Sequence, residues 1–169
     1  MKRGTALLIL LAAAGCKPAA APVSNVVQPE DLESAAIERG MVRDPRNTEI
    51  TGLYARDTDR VCIVGDDSGY RIGAYVDYGD RITCSGSGTV TRYGSRLHVE
   101  LGQGVGCSFD AHMNGDKVIF PGNVPDGCAR LCARRASFAG LAAARMSDSE
   151  AEARAMRDRS GRLLCRAID

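Results

Sequence analysis

Seven cysteines set the tightest limit on what this 169-residue chain can fold into: Cys16, Cys62, Cys84, Cys107, Cys128, Cys132 and Cys165. Aromatic residues make up only 5% of the chain and there is no Trp, so its core must come from Val, Ile, Leu and Ala, which bury less area apiece. A thin core gains most from cross-links, each of which contributes about 2–4 kcal/mol by restricting the unfolded chain. An odd count leaves one cysteine over in an oxidising compartment.

The start of the chain says which one. Lys2 and Arg3 precede an apolar run, Ala6 to Ala14, that is too short for the roughly 20 residues a membrane span needs. This reads as a signal peptide, residues 1–15, that is cleaved on export. The stretch LLAAAGC at 10–16 resembles the lipobox of bacterial lipoproteins. The resemblance implies acylation of Cys16, a mature chain beginning there, and a partner in the membrane reached through those acyl chains. It also implies a cell-envelope location. Lys17, in place of the aspartate that commonly retains such proteins on the inner membrane, points to the outer membrane facing the periplasm. Ala12-Ala13-Ala14 leaves open an ordinary secretory cleavage after Ala14.

With Cys16 acylated, six cysteines remain and make three disulfides; a zinc cluster is not expected in an oxidising envelope. Six cysteines allow about 15 connectivities. Favouring neighbours along the chain gives Cys62 with Cys84, Cys107 with Cys128, and Cys132 with Cys165.

Residues 16–47 carry Pro18, Pro22 and Pro29 and read as a lipid-anchored linker, mostly disordered, in which Glu30 to Arg39 has a weak helical pattern. A single globular domain, 48–169, follows. Its first part, 48–120, shows strand signals: EITGLYA, RVCIV, YRIGAYV, RITCS, RLHVEL, CSFDAHM and KVIF. Alternation puts Leu97, Val99 and Leu101 on one face of RLHVEL, and Cys107, Phe109, Ala111 and Met113 on one face of CSFDAHM. Asn114-Gly115 is a hairpin turn by composition. An antiparallel meander of roughly six to eight strands follows, curled into a small barrel or sandwich to remove its edges.

Past the Pro121–Gly127 loop the composition shifts to Ala, Arg, Leu and Met. Cys128 to Met146 favours a helix, and Ser147-Asp-Ser-Glu150 resembles a capping box opening a second helix through about Arg159. The expected fold class is α+β: the sheet, then a disulfide-stapled C-terminal helical segment over 128–169. In architecture this is similar to small envelope lipoproteins with β-barrels of the lipocalin-like or lysozyme-inhibitor kind.

Chemistry is sparse. His98 and His112 fall on outward strand faces, with Glu100 and Asp110 the only nearby carboxylates, a pattern better suited to a solvated surface than to a metal. No G-x-S-x-G elbow occurs. Cys128 and Cys132 lack the C-x-x-C spacing of thiol oxidoreductases. Leu101-Gly-Gln-Gly-Val-Gly106 lies between strands and reads as a hairpin loop, not a phosphate loop. Asp57, Asp59, Asp66, Asp67, Asp77 and Asp80 lack calcium-loop spacing. No catalytic residue, metal site or cofactor is expected.

Charge adds one feature. Cleavage removes Lys2 and Arg3 from the 22 basic residues, leaving 20 against 21 acidic ones, yet residues 130–166 hold nine arginines against four acids. Arg130, Arg134, Arg135, Arg154 and Arg157 are therefore candidates for binding an anionic polymer or an acidic protein. Nucleic acid is not expected as a partner, since the basic segment lacks aromatics for base stacking. The sequence points to a non-catalytic envelope lipoprotein; the alternative is a periplasmic thiol-dependent or metal-assisted enzyme.

Overall fold

Alternation of apolar and polar residues becomes the inside and outside of a closed barrel. The computed structural model describes residues 32–39, 41–42, 44, 46, 48–66 and 69–166. The expected signal, 1–15, and the expected lipidation site, Cys16, lie outside them. The chain divides into two units, 1–44 and 45–169. In the first, Leu32–Glu38 forms a helix, α1, inside the segment expected as linker.

The second unit contains strands β1 (Gly52–Arg56), β2 (Asp59–Asp66), β3 (Gly69–Asp77), β4 (Thr83–Tyr93), β5 (Arg96–Leu101), β6 (Cys107–Asn114), β7 (Lys117–Ile119) and β8 (Ala142–Ser147). Each pairs antiparallel with its chain neighbours, and β8 returns to β1, so all eight close into a barrel. Asn114-Gly115 makes the expected turn, with Gly115 at φ 56°. Leu97, Val99 and Leu101 point inward with Tyr54, Ile63, Ile72 and Phe120, all essentially inaccessible. Phe109 and Phe120 meet edge to face at 4.9 Å between ring centroids, and Phe138 adds a third ring. The interior is thus filled by side chains, and polar or charged residues such as Arg96, His98 and Glu100 stand outside. A membrane-spanning barrel has the opposite polarity. Among the described helices none is long and apolar enough to cross a membrane.

The helical tail needs correction. Cys128 to Met146 is not a helix: it holds one 3-10 turn, Asp126–Leu131, and then β8. Ala, Arg, Leu and Met are good helix formers, but propensity is worth less than about 1 kcal/mol per residue and is overridden here because β1 and β7 each present an edge that an eighth strand saturates. The second helix exists as α2, Glu150–Ala155, shorter than expected. Its cap is Ser149, whose hydroxyl accepts the Glu152 N–H at 3.3 Å, while Ser147 ends β8. Beyond Met156 the chain turns back so that the Leu164 N–H reaches the Met156 carbonyl at 3.1 Å.

The disulfides are Cys62–Cys165, Cys84–Cys132 and Cys107–Cys128. Only the last was expected. Cys62 alternates with Val61 and Ile63 and therefore points out of the barrel, whereas Cys84 points in, so the two cannot meet. Cys84 and Cys107 begin β4 and β6 at the same barrel end, and their bonds hold the 121–141 segment there as a cap. Cys165 ties the C-terminal stretch to the outside of β2, where Ala153, Met156 and Leu164 cover Val64 and Tyr75. This outer clasp approaches so closely that a Cβ on Gly73 would lie 2.5 Å from Leu164 Cβ and 2.8 Å from Cys62 Sγ.

Candidate functional site

Strand register assembles a row that no local motif announces. On the outer face of the barrel Arg71 pairs with Thr89, Thr89 with Glu100, and Glu100 with Ser108, crossing β3 to β6. These four side chains line a cleft of about 570 Å³, closed at one end by the turn between β5 and β6. That turn is the glycine run read as a hairpin loop, and Gly102, Gly104 and Gly106 take φ of 66°, 70° and 75°, which glycine adopts without strain.

Beside the cleft, His98 stands between two strands. Its Nδ1 lies 2.9 Å from Asp110 Oδ1, and its Nε2 is 3.2 Å from Ser108 Oγ. The hydrogen bond from His98 holds the Asp110 carboxyl below its ordinary range; burial opposes that shift and Arg96, 3.9 Å away, adds to it. Ser, His and Asp in line have the connectivity of an acyl-transfer site. Glu100 Oε1, however, stands 3.7 Å from the same Nε2. Such a site needs hydrogen-bond donors where negative charge develops, and a carboxylate there works against it. The arrangement suits holding a donor-bearing group better than building an oxyanion. His112 pairs with Arg96, one register step from His98, and no group of three His, Cys, Asp or Glu side chains among the described residues is placed to hold a metal.

The arginine cluster splits. Arg130, Arg134 and Arg135 are exposed on the cap, and none of them has an ion-pair partner among the described residues. Arg154 is occupied by Glu150 and the Gly65 carbonyl, and Arg157 by the Gly161 carbonyl, both on the clasp. Arg145 turns into the barrel mouth, 4.7 Å above the Tyr54 ring, and donates to the backbone carbonyls of Thr51 and Glu49. Arg81, on the β3–β4 turn, lines a hollow with Asp158, Arg159 and Ser160 of the clasp.

A second cluster fastens the clasp. The Asp158 carboxylate accepts from Ser85 Oγ at 2.8 Å, Ser160 Oγ at 2.6 Å and Arg162 Nε at 3.1 Å. Burial pushes its pKa up, but the bonds from Ser160, Ser85 and Arg162 together outweigh that and bring it to about 2. Nearby, burial and a hydrogen bond to Asp77 push the Tyr75 phenol up to about 12.

Arg71, Thr89 and Ser108 were missed by sequence reasoning. Alternation in YRIGAYV places Arg71 outward, but only the β3–β4–β5–β6 register puts it in one row with Glu100. Fold and site together define a closed eight-stranded antiparallel barrel with a disulfide-fixed cap, an outer clasp and a polar cleft on its wall. Compared with known protein families, with curated proteins and with solved structures, the chain matches none.

Proposed function

We propose that this protein is a lipid-anchored, non-catalytic binding protein of the cell envelope that presents its cap to an anionic envelope polymer or the acidic face of an envelope protein. The observation that carries this reading is the exposed trio Arg130, Arg134 and Arg135, without ion-pair partners among the described residues, on a segment tied to the barrel by Cys84–Cys132 and Cys107–Cys128. Holding charges on a fixed segment lowers the ordering cost of binding. Arg154 and Arg157, by contrast, are held by clasp contacts. The anchor rests on the lipobox-like LLAAAGC and on the even number of cysteines left after Cys16.

The full chain, solubilised in detergent, is expected to be retained on immobilised heparin as an anionic polymer and to elute with salt, because exposed charges are screened over about 8 Å at physiological ionic strength. The R130Q/R134Q/R135Q variant should elute at clearly lower salt and R154Q at the unchanged position. Equal elution of the triple variant and the wild type sinks this reading.

A further inference from the structure

Among the described residues, one side-chain nitrogen or oxygen atom is buried without a hydrogen-bond partner: Arg71 Nε. Arg71 lines the 570 Å³ cleft on the barrel wall. Buried donors in folded proteins are nearly always satisfied, so an unpaired Nε–H on an arginine that lines a cleft points to an acceptor from outside. Its planar fork fits a carboxylate with two parallel hydrogen bonds.

Glu100 restricts what that acceptor can belong to. It stands in the same row, so a ligand bearing several negative charges would face repulsion, whereas one with a carboxylate at one end and an ammonium at the other meets a complement at each. We propose that the cleft binds an amino acid or short peptide with free termini, its carboxylate on Arg71 and its amine on Glu100.

The dimensions agree. Arg71 and Glu100 lie on β3 and β5 with β4 between, about 10 Å apart at the backbone for two strand spacings. An extended dipeptide spans about 7 Å, and the long, flexible Arg71 and Glu100 side chains supply the remaining reach. Thr89, between them, is short and leaves the floor open. Gly102, Gly104 and Gly106 form a rim without side chains, where a ligand amide can approach backbone groups. Ser108 adds a hydroxyl opposite Glu100. A cleft of this volume falls within the range of small-molecule sites, about 300–1,000 Å³. None of the cap arginines lines the cleft, so the two readings fail independently.

The test is a calorimetric titration of the full chain in detergent with dialanine, dialanine amide, N-acetyl-dialanine and inorganic phosphate. Saturable dialanine binding is expected, about tenfold or more weaker for dialanine amide. R71Q should lose dialanine binding by a similar factor while keeping its retention on the anionic column. E100Q should bind dialanine and N-acetyl-dialanine equally, a readout that stands even if R71Q does not fold. The proposal is overturned by the absence of saturable dialanine binding, by equal affinity for dialanine and its amide, by a folded R71Q that binds normally, by E100Q that still prefers the free amine, or by phosphate binding as tightly as dialanine.

Discussion

Cys62 and Cys165 are bonded across 103 residues of sequence, joining the outer wall of β2 to the C-terminal stretch. The bond closes nearly the whole barrel into one covalent loop, and a loop of that length restricts the unfolded chain strongly. The C62A/C165A double variant is expected to lose about 3–4 kcal/mol in denaturant unfolding. The other two bonds act at the opposite place, over the barrel end, so the barrel signal in circular dichroism should persist at low denaturant.

Asp158 makes the clasp sensitive to acid. Its pKa in the folded protein, about 2, lies below the ordinary 3.8, so its contribution is complete above about pH 4 and is lost as pH falls towards 2. The carboxylate is 5% exposed, and the shift corresponds to about 2 kcal/mol. D158N should therefore be less stable than wild type at pH 6, with the gap closing towards pH 2, as read from urea midpoints across that range.

Gly73 tests the contact between wall and clasp. An alanine there would place its Cβ 2.5 Å from Leu164 Cβ, against a residue that is itself locked by the neighbouring disulfide. G73A should destabilise by about 1–3 kcal/mol, the usual cost of overpacking, and expose amides of 156–165 to hydrogen exchange before those of β5 and β6.

Phe120 links the barrel core to the cap through Phe109 and Phe138. With its side chain 1% exposed, F120A is expected to cost about 3–5 kcal/mol in equilibrium unfolding.

Strands β1 to β3 and β5 to β7 were legible because their patterns are strong and their turns carry Gly, Asp or Asn, whereas β4 was legible only at its start, RITCS, because the small residues Ser85-Gly86-Ser87-Gly88 inside it carry no strand signal. β8 was not, since Ala142–Ser147 reads AAARMS and its strand state comes from the two barrel edges it joins, a requirement that no local window contains. The Cys62 pairing was half legible: alternation in RVCIV already points Cys62 away from the core, but the partner on the outer wall depends on where the clasp folds back. Arg71 and Glu100 were invisible as a pair for a similar reason, because 29 residues and one intervening strand separate them and register alone brings them together.

The most direct test of an anchored, stapled barrel is the intact mass of the protein extracted from membranes, alkylated in denaturant without reduction. The expected result is a chain beginning at Cys16 that carries acyl groups and takes up no alkylating agent, with peptide maps showing Cys62–Cys165, Cys84–Cys132 and Cys107–Cys128. An unmodified Cys16, or alkylation at any of the other six cysteines, would contradict it.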